Sequence, residues 1–417
     1  MRRTFIIITL LLGTCLSPDS SLAQDKATSS LKEVFRKVRE GNAEIKALEQ
    51  RLEGLAAISS QAKQLPNPEL NFETENFSGD RDGFTETENT VTISQKIELG
   101  GKRGARARNA SANESLAKAK MKLKLCELLE NVYITYAETL LSQTRLSLAK
   151  EQEGFSRRIL SSVREKVKLG GSLQGEQTKA EIALNLAKLD VRKLESELVQ
   201  NKLKLSSFWH GDLTEIGQLS NLEQIETTLD LEKVDDFPLL ALETLRVESL
   251  ESTLETQKAL AVPDVTIQGG YRRFEDTNED AFVGGFSLPL NIFNRNKGSI
   301  KNASKTLESV RIARNGKKQN LINVLKSLQE SRNILLEEHN SLNKTLLPNS
   351  KNALSQIQKA YQLGRVGYLD LSDSWRIYFE TRSRAAQNSY QQQVNQAKIS
   401  SLTGQILNIF GGGYADE

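Results

Sequence analysis

The chain has 417 residues, with 56 Lys and Arg against 53 Asp and Glu, so a formal net charge of +3 is spread over a sequence in which 26% of residues are charged. That balance lacks the concentrated basic face that a nucleic-acid binder needs. Aromatic residues make up 6% and the mean hydropathy is -0.44, which suits long solvated helices better than one large globular core.

At the N-terminus, Arg2 and Arg3 precede an apolar run from Phe5 to Leu12 and a small-residue site, Ser21-Leu22-Ala23. Together they read as a secretory signal over residues 1–23. A competing processing site is Leu12-Gly13-Thr14-Cys15, which resembles a lipoprotein box. If Cys15 leaves with the signal, only Cys126 remains and no intrachain disulfide can form. Beyond the signal no apolar run reaches the ~18 residues of a membrane helix, so any span must be a closed β-barrel.

Next comes a helix from about Ser30 to Gln64, interrupted near Gly41-Asn42 and ended by Pro66 and Pro68. Leu70 and Phe72 then alternate with Asn71, Glu73 and Glu75, and Val91, Ile93, Ile97 and Leu99 alternate with Thr92, Ser94, Lys96 and Glu98. These segments, about 68–77 and 88–99, are the strands of a hairpin, each close to the ~10 residues that a tilted strand needs to cross a bilayer. From Lys102 to Lys168 the sequence is rich in helix formers, and Leu125, Leu129, Val132, Tyr136 and Leu140 mark one apolar stripe. One continuous helix over that span would be about 100 Å long. Residues 169–175 break it, and a second arm returns from Glu176 to about Phe208.

The pattern then repeats at an offset of about 194 residues, the spacing between Gly170 and Gly364. The second copy predicts strands at about 263–273 and 281–292, an outgoing helix from Lys297, a turn at 363–369 and a return from Leu369 to Leu407. The duplication divides the mature chain into repeats at 24–225 and 226–407, with a tail at 408–417. Gly154 and Pro348 stand at equivalent places in the outgoing arms as helix breakers, and a kink is expected near Leu347-Pro348. Gly100 and Gly101 in one copy, and Pro289 and Gly298 in the other, mark the changes from strand to helix. Four strands cannot close a barrel alone, so several subunits must complete one sheet if the strands meet lipid.

Leu65-Pro66-Asn67-Pro68-Glu69-Leu70, Ile97-Glu98-Leu99-Gly100-Gly101-Lys102-Arg103, Ser287-Leu288-Pro289-Leu290 and Asn294-Arg295-Asn296-Lys297-Gly298, with the two hairpin turns, resemble the TolC-type outer-membrane efflux family, most closely its CzcC-like heavy-metal branch. The resemblance spans nearly all the mature chain. It implies a mainly helical protein with a small β part, in which a homotrimer shares a twelve-stranded outer-membrane barrel. Long antiparallel helical hairpins would form a periplasmic tunnel, docked on a periplasmic adaptor and an inner-membrane pump of the RND type.

The same resemblance places a periplasmic gate at Asp370, Asp373 and Tyr361, and the latching arginine either at Arg365 or, under one alignment, at the position of Val366. Asp370 and Asp373 lie one helical turn apart, so in a trimer their carboxylates could form a ring attracting cations. Spacing alone equally fits acids complementing a helix N-terminus. Gly170, Gly171, Ser172, Glu176, Gly364 and Gly367 are expected at the turns that dock the adaptor.

No catalytic constellation is present. His210 and His339 are the only histidines, without zinc-ligand spacing, and Gly100-Gly101-Lys102-Arg103 lacks the phosphate-loop pattern. The cluster Lys102, Arg103, Arg106 and Arg108 reads as a solvated face, with contact to membrane phosphates as the rarer alternative. The expected function is passive conduction without enzyme activity or cofactor, with metal cations as the leading cargo. Drug or solvent efflux and type I secretion are alternatives of the same kind, and a periplasmic scaffold or adaptor is an alternative of another.

Overall fold

The computed structural model describes residues 29–77, 79, 83–222 and 229–411. The expected signal, Cys15, part of the first hairpin turn, part of the linker between repeats and the end of the tail lie outside the described residues.

Helix α1 (Leu31–Gly41) and helix α2 (Ala43–Gln61) are separated by Asn42, whose side chain accepts hydrogen bonds from the backbone N–H groups of Glu44 and Ile45. The expected interruption is thus an asparagine cap. Strands β1 (Glu69–Glu75) and β2 (Glu88–Ile97) follow, and then helix α3 (Lys102–Lys168), 67 residues long and hence about 100 Å. Helix α4 (Gln174–Ser206) returns alongside it.

The second half repeats the order with α5 (Pro238–Ala259), β3 (Val265–Phe274), β4 (Glu279–Ser287), α6 (Lys297–Ser341), α7 (Leu347–Gln362) and α8 (Tyr368–Thr403). A short α9 (Ile406–Gly411) closes the described chain. The strands form one antiparallel sheet in the order β1-β2-β3-β4, so β2 and β3 join the two halves. Among the described residues, no helix is long and apolar enough to cross a membrane.

Three sequence expectations are corrected. Gly154 does not break α3, which runs through it. An interior glycine costs a helix only ~1 kcal/mol relative to alanine, too little to end one this long. β4 stops at Ser287 and does not reach 292, because Pro289 has no N–H to give to a ladder. Gly298 lies inside α6, and the left-handed residue at that strand-to-helix change is Asn296, with φ of 55°. Asn296 is held there by its side-chain amide, which donates to the backbone and side-chain oxygens of Gln257.

Pro348 acts as expected but upstream of itself. A π turn at Leu342–Leu346 joins α6 to α7 without separating them, relieving the clash that a proline ring makes with the carbonyl four residues earlier.

Packing is concentrated at two levels of the long bundle. Around its middle, Val34, Phe35 and Val38 of α1 meet Cys126, Leu129, Tyr133 and Tyr136 of α3, with Leu205, Ala397 and Ile406. The predicted α3 stripe is this seam. Tyr136 donates to the carbonyls of Ser29 and Ser220, each at 2.8 Å, fastening the segment before α1 and the linker to α3. Far along the helices, Phe155, Leu160 and Val163 of α3 pack with Ala180 and Leu184 of α4 and with Tyr361, Tyr368 and Leu371 of the second hairpin.

Candidate functional site

The sheet is a single layer whose two faces differ chemically. Register aligns Phe72, Val91, Tyr271 and Phe282 in one row across all four strands. Leu70, Ile93, Ile267 and Phe286 share that face, and Phe282 is 94% exposed and Phe286 77%. The opposite face carries Glu73, Thr90 and Arg272 in one row and Glu75 and Glu88 in the next. Arg272 donates to Glu88 at 2.7 Å, to Glu75 at 3.2 Å and to the Thr90 hydroxyl at 2.9 Å. An uncovered apolar face of this extent is costly in water, since each large side chain gains about 1.5–3 kcal/mol when it leaves water. Among the described residues, β1 and β4 each pair on one side only. An apolar face, a polar face and two open edges describe a segment of a barrel wall.

At the junction of wall and helices, Gly100 and Gly101 take φ of 67° and 71°, the left-handed region. A Cβ on Gly100 would lie 2.7 Å from Val262. Asp264, just before β3, receives Lys102 at 2.6 Å, Lys96 at 3.2 Å and the backbone N–H of Leu99 at 3.2 Å. Burial raises the Asp264 carboxyl, but these bonds outweigh it and hold the group below its ordinary range. Arg106 and Arg108 are likewise occupied, by Glu98 and Glu255. Of the expected basic cluster, Arg103 alone is exposed without an ion pair among the described residues.

At the far end the two hairpin turns are copies of each other. Gly170 and Gly364 adopt φ of 74° and 73°, and each precedes a residue whose N–H reaches back five positions, Gly171 to Lys166 O at 2.8 Å and Arg365 to Ala360 O at 2.9 Å. This is the glycine-terminated helix end that only a residue without Cβ adopts easily. Ser172 donates to Glu176 across the first turn. In the second, Gly367 is the N-cap of α8, and the carboxylate of Asp370, in the first turn, reaches back to accept its N–H at 3.0 Å.

Asp373 pairs with Arg376 at 2.6 Å, and Arg376 also reaches Glu380 at 3.0 Å. Both aspartates are solvent-exposed, as is Arg365, while Val366 packs against the apolar cluster. Tyr361 is buried, and the ammonium of Lys166 lies 3.6 Å over its ring and donates to its carbonyl at 3.0 Å. Lys166 thereby ties the first tip to the second, a contact that sequence reading missed because the residues are 195 apart. It also passed over Leu169, Leu173, Leu363 and Leu369, which bracket the turns and are 64–86% exposed. Their signal was an apolar residue on each side of a polar turn.

Wall, long helices and paired tips define the protomer of an outer-membrane channel. The family profile described as "Outer membrane efflux protein" matches residues 34–209 and 237–405, and the chain belongs to that family. Its members are trimeric channels that work with an adaptor and an inner-membrane pump. The chain is 25% identical to the cobalt-zinc-cadmium resistance protein CzcC of Cupriavidus metallidurans, over 92% of this chain and 95% of that protein. It is also 25% identical to the nickel and cobalt resistance protein CnrC of the same organism, over 64% and 66% of the two chains. Among solved structures, CusC matches with a TM-score of 0.73 at 18% identity, covering 92% of both chains. VceC of Vibrio cholerae matches with 0.71 at 16% identity, covering 92% of this chain and 96% of that one. The fold and the outer-membrane location are those expected from the sequence.

Proposed function

We propose that three copies of this chain form a passive exit duct for heavy-metal cations, which an inner-membrane pump delivers through a periplasmic adaptor. The observation that carries the duct reading is the register-aligned apolar row from Phe72 to Phe282 on a one-layer sheet with open edges. The cargo reading is supported by similarity along almost the full length of a cobalt-zinc-cadmium resistance protein. The two halves, 24–225 and 226–407, each contribute one strand pair and one tip.

In this reading Asp370 and Asp373 line the closed entrance and favour cations. The exposed turns with Gly170, Gly171, Ser172, Glu176, Gly364 and Gly367, flanked by Leu169, Leu173, Leu363 and Leu369, receive the adaptor. Opening separates the second tip from the first and breaks the Lys166–Tyr361 contact. Arg365, exposed beside Gly364, is the residue available to latch one protomer to the next.

The test is deletion of the gene followed by growth on zinc, cobalt, copper and silver, and on dyes and antibiotics. Metal sensitivity restored by the wild-type gene is the expected result. Sensitivity confined to dyes and antibiotics would replace the cargo reading with drug efflux. The absence of ion conductance by the purified protein in planar bilayers would overturn the duct itself.

A further inference from the structure

The second outgoing arm is bonded unevenly along its length, and the change falls at the π turn. On the barrel side, polar side chains fasten α6 to α8. Asn395 donates to Leu328 O at 3.0 Å, Asn388 to Leu335 O at 3.1 Å and to Glu338 at 3.0 Å, and Arg384 to Glu338 at 2.8 Å. On the tip side, the polar side chains of α7 turn to their own helix, Ser350 to Leu347 O and Gln356 to Asn352. There α7 meets α8 through apolar packing, with Leu354 and Tyr361 in one cluster with Tyr368 and Leu371. Among the described residues no side-chain hydrogen bond or ion pair crosses from α7 to α8. α8 itself is fastened to α3, by Arg382 on Glu151, by Arg145 on Gln387 and by the stacked rings of Phe155 and Trp375, whose centroids lie 3.5 Å apart.

Between these two regimes the arm is least constrained. The N–H of Leu347 reaches back five residues to Leu342 O, Pro348 has no N–H to give, and Asn343 donates its side-chain amide to His339 O at 3.0 Å. Of the turn's residues, Leu342 is buried and 343–346 are exposed. A wide turn followed by a proline lacks a rung of the helical ladder and bends more easily than regular helix. The equivalent stretch of α3, 148–152, is regular α-helix and offers no such pivot.

We infer that the π turn Leu342–Leu346 is the hinge of the entrance: α7 swings about it as a rigid lever over the apolar surface of α8, while the Asn388 and Asn395 ladder holds α6 as the fixed base. Apolar contact has no direction, so α7 can shift on it without leaving a polar group unpaired, whereas sliding α6 would strand the buried amides of Asn388 and Asn395. Gly364 and Gly367 give at the far end of the lever, where α7 turns into α8. Over the 16 residues of α7, about 24 Å, a turn of about 10° carries Tyr361 by about 4 Å. That displacement takes the ring off Lys166, whose ammonium lies 3.6 Å from it in the closed arrangement. The hinge rests on the reading of the second tip as the moving part of the entrance.

The test uses the full-length trimer, in detergent and in planar bilayers, with Lys166→Ala to free the tip. Hydrogen–deuterium exchange read by mass spectrometry should rise above the wild type at 342–347 and stay at the wild-type level at 328–338. A rise spread evenly along α6, or none at the π turn while channels open more often, would overturn the hinge. Deleting Lys344 and adding Pro348→Ala shortens the five-residue reach to four without changing which faces α6 and α7 present, so the arm becomes one helix. The extra openings of Lys166→Ala should then be lost while the trimer and its unfolding midpoint are kept, and extra openings that persist count against the hinge. Where the straightened chain fails to assemble, Asn388→Ala with Asn395→Ala decides. Faster exchange should then extend from the π turn into 328–338, and wild-type protection there would remove the ladder as the fixed base. If Lys166→Ala conducts as the wild type does, the tip contact is no latch, and the deletion is read on wild-type openings instead. If the wild type itself does not conduct, the duct reading fails and the hinge fails with it.

Discussion

The ammonium of Lys102 lies 2.6 Å from the carboxylate of Asp264, so the first turn of α3 is pinned to the residue that precedes β3. The pair joins one half of the chain to the other where wall becomes tunnel, and its side chains are only 10% and 13% exposed. Asp264→Ala would leave Lys102 buried without its partner. The expected cost is about 3 kcal/mol of stability, read as a lower thermal unfolding midpoint of the purified protein. Asp264→Asn, which keeps a hydrogen-bond acceptor, should cost less.

The same carboxylate sets a pH dependence. Its folded-state value lies below its ordinary one, so its contribution is complete above the usual aspartate range and is lost as pH falls through the folded value. Acid unfolding of the wild type should therefore steepen below about pH 4 relative to Asp264→Asn. Parallel acid-unfolding curves for the two proteins would contradict this.

Lys166 and Tyr361 hold the tips together inside one protomer. Lys166→Ala removes a cation over an aromatic ring, worth about 0.5–2 kcal/mol, together with a hydrogen bond. If opening separates the tips, the variant should show larger or more frequent single-channel openings with little change in the barrel. Wild-type currents would assign the contact to packing alone.

Asp370 and Asp373 divide two roles that the sequence left even. Asp370→Ala deletes the first-turn acceptor for the N–H of the N-cap residue Gly367 and should cost about 1 kcal/mol, visible as reduced thermal stability. Asp373→Ala frees Arg376, which retains Glu380, and should change stability little. Both should weaken cation selectivity and block by divalent ions in planar bilayers. A stability loss for Asp370→Ala with unchanged selectivity in both variants would reduce the pair to helix-end electrostatics.

Two glycines with opposite environments give opposite expectations. At Gly154 a Cβ would have 3.6 Å to its nearest neighbour, the side chain of Arg158, so Gly154→Ala should stabilise by up to ~1 kcal/mol. At Gly100 the Cβ would meet Val262 at 2.7 Å on a left-handed backbone, so Gly100→Ala should cost about 2 kcal/mol or more. Urea unfolding measures both. Cys126 supplies a further check, because it is fully buried and burial pushes its thiol up to about 12. A maleimide should label it only after denaturation.

Much of the architecture was legible because the deciding signals are local. Period-two alternation placed β1, β2 and β3, and the glycines at 170 and 364 placed both turns, since a left-handed helix end writes itself into the sequence. What escaped depends on neighbours distant in sequence. Gly154 looked like a break, yet the seam with α4 and α8 outweighs a one-residue penalty. Asn296 took the strained position expected of a glycine because Gln257 supplies its partners. Asn388 and Asn395, seven residues apart on α8, donate to the carbonyls of Leu335 and Leu328, seven apart on α6. That ladder fixes how the two helices slide past each other and is invisible until both are in place. At the tip, the sequence put Asp370 and Asp373 at the start of a helix and offered helix-end charge as one reading, but the partners they take, Gly367 N–H and Arg376, were not legible.

Among the described residues the outer margins of β1 and β4 are unpaired, with a genetic corollary. In hydrocarbon a bare strand margin has no water to satisfy its amides and carbonyls, so a solitary copy has no resting place there, and insertion must accompany ring closure. A co-expressed copy with one damaged margin would then poison rings that contain two sound partners, making such alleles dominant over the normal gene.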